Sequence, residues 1–132
     1  MSKQANSTWV SESWEEHNYL EPPDGPPLIH ADVKRAFHGD VEGKGEAVLL
    51  CCRPDEGHAG YVATEYITAR LEGRSGTFVV QFGAVMGARE PQTIGFVVPG
   101  SGTGELKGLT GTCSFGHDDQ GKAFFRLDYD FD

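Results

Sequence analysis

The stretch 59-AGYVATEYITARLEGRSGTFVVQFGAVM-86 decides the fold. Two runs rich in Val, Thr, Ile, Phe and Tyr flank 72-EGRS-75, a connector with its own glycine. That is the pattern of an antiparallel hairpin. Centred on the connector, the hairpin pairs Leu71 with Gly76, Ala69 with Phe78, Ile67 with Val80, Glu65 with Phe82 and Ala63 with Ala84. Successive strand side chains point to opposite faces. Tyr61, Ala63, Ile67, Ala69, Leu71, Phe78, Val80, Phe82 and Met86 therefore share one face, and Thr64, Thr68, Arg70, Thr77 and Gln81 the other. The first face is a core and the second meets water. One acid, Glu65, falls among the core residues.

Outside the hairpin, similar runs occur at 7-STWVSESW-14, 28-LIHADVKRAFHG-39, 45-GEAVLLCCR-53, 92-QTIGFVV-98, 110-TGTCSFGH-117 and 122-KAFFRLDYDF-131. The last alternates cleanly, with Phe125, Leu127, Tyr129 and Phe131 opposed to Arg126, Asp128, Asp130 and Asp132. No window carries the i, i+3, i+4, i+7 apolar stripe of a helix. The four prolines of 21-EPPDGPPL-28 make an extended loop. With 132 residues and no repeat or linker, the chain reads as a single domain, 1–132. About eight one-sided antiparallel strands must hide their apolar faces against each other. An up-and-down barrel does so and removes the sheet edges. A sandwich is the alternative, but runs of 10 to 13 residues are long against a usual ~5–6 and favour a small closed barrel.

The segment 95-GFVVPGSGTGELKGLTGTCSF-115 invites a nucleotide-binding reading. Its glycines at 100, 102, 104 and 108 miss the G-x-G-x-x-G spacing by one position, and no Gly-Lys-Ser/Thr follows. Only 103–109 has room to coil, for two turns at most, which is too short for a useful dipole. A strand ended by Pro99, a sharp turn, a short helical plug and a further strand account for it. It is a corner.

Composition narrows the function classes. The net charge of -9 has no basic patch to offset it, which argues against nucleic acid or an anionic membrane as partner. No apolar run approaches the ~18 residues of a membrane span, and MSKQANSTWV lacks a signal-peptide core. A cytoplasmic protein is expected. Three cysteines give no pairing framework. Cys51 and Cys52, adjacent on a strand, should point to opposite faces. The histidines are scattered, with His17 in an early loop, His30 and His38 on a strand, and His58 and His117 near turns. None has metal-ligand spacing, so neither metal nor cofactor is expected.

The motif V-x-P-G-S-G-T-G-E-L-x-G-L-x-G at 97–111 resembles the C-terminal signature of the DUF3224 proteins, a bacterial family of uncharacterised domains. The resemblance extends to SW at 13–14, FHGDVEGKGEA at 37–47, LEGRSGTFVVQ at 71–81 and LDYDF at 127–131, nearly the whole chain. That family is similar to the allene oxide cyclase-like barrels, relatives of dirigent proteins. The resemblance implies an eight-stranded antiparallel barrel with a central cavity. The better-known relatives steer cyclisation of a bound reactive intermediate without a cofactor. The family pattern often carries a histidine after the Gln of the second hairpin strand, where this chain has Phe82.

Glu65 is the leading candidate for chemistry, because a carboxylate on an apolar face has a raised pKa or a cationic partner. Arg35 alternates with Val33 and Phe37 and so points inward, either as that partner or as an anchor for an anionic ligand. Tyr61, Phe82 and Tyr129 complete the candidate cavity lining. Ser101, in Pro-Gly-Ser-Gly, lacks a nucleophile elbow. Three functions fit: a cofactor-independent cyclase or isomerase acting on a small apolar substrate, a lipocalin-like binder, and a structural barrel filled by its own side chains. A homodimer or trimer is compatible with each.

Overall fold

The computed structural model describes residues 2–87, 89–90 and 92–132. Eight strands follow one another as β1 (Lys3–Leu20), β2 (Leu28–Gly39), β3 (Val41–Asp55), β4 (His58–Leu71), β5 (Arg74–Met86), β6 (Gln92–Val97), β7 (Leu109–His117) and β8 (Ala123–Phe131). Each pairs antiparallel with the next, and Lys3–Thr8 of β1 pairs with Phe124–Tyr129 of β8 to close the barrel. The sheet has no free edge along that part of its length. Between β6 and β7 the ladder is thin, with Phe96 opposite Thr112.

Alternation builds the core. On β4, Ala63, Glu65, Ile67, Ala69 and Leu71 are buried while the residues between them are exposed. The facing strands supply Phe37, Phe78, Phe125 and Leu127, all fully buried. The hairpin register differs from the sequence expectation by two residues. Leu71 pairs with Arg74, Ile67 with Phe78, Glu65 with Val80 and Ala63 with Phe82. The connector is two residues rather than four, because Glu72 and Gly73 both take positive φ, 48° and 89°. That is the requirement of a type I′ turn, whose twist matches the strands. A slip of two leaves every side chain on its expected face. Met86 is the exception in burial: it is 65% exposed, because its strand has run past the end of the barrel.

β1 is far longer than the expected 7–14. Beyond Thr8 it leaves β8 and pairs with β2 alone, with register shifts between Ser11 and Ser13 and between Asn18 and Leu20. Its second half is exposed, so apolar alternation fades and the sequence loses the strand. His17 lies on this extension, not in a loop.

The glycine-rich segment is a corner. Thr103 N–H donates to the Thr77 carbonyl at 2.9 Å, and the Thr77 and Thr103 hydroxyls meet at 2.6 Å. The helical plug contracts to a single 3₁₀ turn, Gly104–Leu106. It serves to drive Leu106, fully buried, into one end of the barrel. No helix among the described residues is long and apolar enough to cross a membrane.

Candidate functional site

The alternation that makes the core also puts two charges into it. β2 sends Val33, Arg35 and Phe37 inward, and β4 sends Ala63, Glu65 and Ile67 inward. β3 lies between these strands. There Gly45 sits opposite Arg35 on one side and Ile67 on the other, while Ala47 sits opposite Glu65. A Cβ at Gly45 would meet the Glu65 carboxylate and come within 2.8 Å of Phe37 Cε2. The missing side chain is therefore what lets the two charges meet across an intervening strand.

Arg35 Nε lies 3.0 Å from Glu65 Oε2, with side-chain exposures of 5% and 0%. The contact is ionic without being a well-aligned hydrogen bond, for Arg35 Nε and both Glu65 oxygens find no hydrogen-bond partner. Aromatic rings enclose the guanidinium. Its carbon is 4.5 Å from the Trp9 ring centre, 4.6 Å from Phe115 and 5.9 Å from Phe82. Such contacts hold a desolvated cation. The rings support each other, Phe82 on Phe115 at 4.3 Å and Phe115 on Phe125 at 4.6 Å. Trp9 is oriented by its indole N–H, which donates to the Phe124 carbonyl at 3.0 Å.

Burial pushes the Glu65 carboxyl up to about 7, against the opposing pull of Arg35. Burial likewise lowers the Arg35 pKa, with Glu65 and Tyr61 opposing. It raises that of Tyr61, whose phenol feels the Arg35 charge. The Cys113 thiol is pushed up to about 12, by burial first and by Glu65 second. A carboxyl whose folded pKa exceeds its unfolded value favours folding fully below the unfolded value, and that contribution disappears as pH rises through the folded one. Stability attributable to Glu65 should therefore fall between about pH 4.5 and 7, by up to about 1.4 kcal/mol per pH unit. Urea melts of the wild type and an R35M/E65L variant check this. Their difference in unfolding free energy should move against the wild type across that window, and a constant difference would refute it.

Glu65, Arg35, Tyr61 and Phe82 come together, with Tyr61 edge-on to Phe82 at 6.0 Å. Tyr129 stands apart. It lies opposite Lys3 and Gly111, near Glu72 and Arg74, at the end that Leu106 plugs. Sequence reasoning missed Trp9, Phe115 and Gly45. Trp9 belongs to a strand that closes the barrel against β8, far along the chain, and Phe115 to the local β7–β8 hairpin, which meets Arg35 only through that closure. Gly45 carried a usable signal, a glycine within a strand, on the same side as Ala47 and Leu49. The Ser101 hydroxyl accepts the Val79 N–H at 3.0 Å and is part of the corner. His30, His38 and His58 lie beside the carboxylates of Asp32, Glu42 and Asp55. Among the described residues, no three His, Cys, Asp or Glu side chains gather as a metal site.

The sequence matches the family described as "Protein of unknown function (DUF3224)" over residues 5–129. The chain belongs to the DUF3224 family. A similar solved structure is that of a DUF3224 protein of unknown function from Shewanella oneidensis MR-1. It is 28% identical, with a TM-score of 0.89 over 100% of this chain and 98% of that one. No curated protein matches the sequence. The DUF3224 barrel is thus shared at full length.

Proposed function

We propose that this DUF3224 barrel takes up a small, largely apolar molecule against the Glu65–Arg35 pair, and that Glu65 moves a proton in a cofactor-independent isomerisation or cyclisation. The observation that carries the reading is the pair itself, buried at 3.0 Å with three polar atoms lacking hydrogen bonds. Stability alone gives little reason to keep it, since apolar residues of similar volume serve a core equally well or better. Unmade hydrogen bonds on a buried carboxylate ask for an explanation, and a ligand hydroxyl donating to Glu65, or a ligand carbonyl accepting from Arg35 Nε or from the protonated acid, supplies one. An acid with a pKa of about 7 suits proton transfer at neutral pH. The resemblance to allene oxide cyclase-like barrels read from the sequence is what suggests a reaction steered by shape. With Phe82 where a histidine often stands, Glu65 is the titrating group at hand.

Glu65 is fully covered, so a ligand enters by displacing the partly buried rings of Trp9, Tyr61 and Phe115, which pack on the core. The three thiols stand free, which suits a reducing, cytoplasmic setting. The test is a ligand-observed NMR screen of small apolar ketones and enones in deuterated water. Hits should weaken at least tenfold with R35M. Glu65→Gln should keep affinity yet lose deuterium exchange at the ligand α-carbon. Exchange that survives Glu65→Gln ends the acid–base role. Binding without exchange by the wild type selects the non-catalytic binder, a reading favoured by the nearness of Arg35. An absence of hits selects the filled structural barrel.

A further inference from the structure

The outward faces of β3, β4, β5 and β6 break the rule that an antiparallel strand with one side in the core shows polar residues on the other. Val48, Leu50, Val62, Val85, Ile94 and Phe96 all point out and are 41–60% exposed. The ladders make them neighbours. Leu50 pairs with Val62, Val62 with Gly83 and Gly83 with Ile94 in one row, and Val48, Thr64, Gln81 and Phe96 form the next. These rows hold no charged side chain, in a chain whose net charge is -9. Their two polar side chains are bonded to each other, Gln81 Nε2 donating to Thr64 Oγ1 at 3.2 Å.

The geometry points to this face as the interface with a second copy of the chain. Area is the first reason. A standard interface of about 800 Å² per subunit, about 65% apolar in homodimers, needs about 500 Å² of apolar surface. The six side chains, at their observed exposures, offer roughly that much, within the ~300–600 Å² range where a patch is often functional. Charge is the second. Two copies that each carry -9 repel, and a face free of charge is where they approach at least cost. The margin is mixed, with Lys34 3.9 Å from Glu46, so the face has no bias toward a strongly basic or acidic partner.

Shape is the third. Gly60 and Gly83 place no side chain outward, and over them lies a hollow of about 560 Å³ lined by Leu50, Val62, Val85 and Ile94 among others. In a two-fold dimer each patch meets its own image, so a ridge residue of one copy fills the hollow of the other and the reverse. Ile94, the most exposed of the six at 60%, is that ridge. Such a dimer forms whatever the barrel interior holds.

Sedimentation velocity at micromolar concentration tests it. The wild type should sediment at twice the 14.3 kDa chain mass. Val62→Lys and Ile94→Glu should each halve that mass while keeping the wild-type near-ultraviolet circular dichroism. Thr64→Glu adds charge without removing an apolar group and should do the same, which covers the case of a misfolded first variant. Lys122→Glu, in the β7–β8 turn, should remain at the wild-type mass. A wild type at the single-chain mass overturns the inference. So do face variants that keep the doubled mass, which would put the contact elsewhere. A single-chain wild type that floats with neutral phosphatidylcholine vesicles would assign the face to lipid instead.

Discussion

Replacing Arg35 with methionine is expected to cost about 3–5 kcal/mol of folding stability at pH 8, because it leaves the Glu65 carboxylate buried without a counter-charge. Arg35 Nε, 3.0 Å from Oε2, is the cation in contact with that group. The R35M/E65L double variant should return to within about 1 kcal/mol of the wild type or exceed it, since a packed apolar pair avoids both desolvation penalties. The two single effects therefore cannot add, and the cycle should show a large coupling. The deficit of R35M should also shrink toward pH 5. There Glu65, already pushed up to about 7 with arginine present, takes a proton and no longer needs a partner. In thermal melts the loss at pH 8 corresponds to about 4 °C per kcal/mol. Equal, additive losses for both single variants and the double would show that the pair is not a coupled unit.

The hairpin shows why much of this site was legible. The sequence sets its register two residues out yet puts Glu65 inward, where it lies fully buried. A period of two is blind to an even slip, and the turn adds two residues to the ladder without rotating either strand. What the slip did change was the partner, Val80 in place of Phe82. Arg35 was legible for the same reason, alternating with two apolar neighbours. Its aromatic enclosure was not. Trp9 reaches the site from a strand that pairs with β2 and β8, and Phe115 from one that pairs with β8 across a separate turn. The β1–β8 pairing spans the chain and leaves no local trace in composition, and the local β7–β8 hairpin does not by itself say that Phe115 will face Arg35. The outer face failed differently. Val62 and Tyr66 alternate with Ala63 and Glu65, so β4 is apolar on both sides at one end and a polar outer face looked secure only from Thr64, Thr68 and Arg70. The exposed half of β1 is a third case, because strand assignment relied on one buried face and Ser11–Leu20 has none.

Gly45 is where the sequence left a mark that the structure explains, and it carries the second large effect. Its backbone is ordinary extended strand, without the positive φ that would itself demand glycine. By strand propensity alone valine should be preferred there, by up to about 1 kcal/mol. Gly45→Val is nonetheless expected to destabilise by about 3 kcal/mol, at the upper end of overpacking costs. Its first carbon would already contact the Glu65 carboxylate and stand 2.8 Å from Phe37 Cε2, and Phe37 is held against Phe125 at 5.2 Å. Neither neighbour gives way cheaply. The carboxylate is tied to Arg35, and the ring is fully buried. Moving Glu65 also separates it from its counter-ion, so the steric and electrostatic penalties arrive together. In an R35M/E65A background, where the carboxylate is gone and its volume is free, the same substitution should cost about 1 kcal/mol or less, the remainder coming from Phe37. Urea melts of the four proteins separate the two origins. A penalty unchanged by removal of the carboxylate would mean that the glycine makes room for the Phe37 ring, and that the ion pair occupies a gap it did not require.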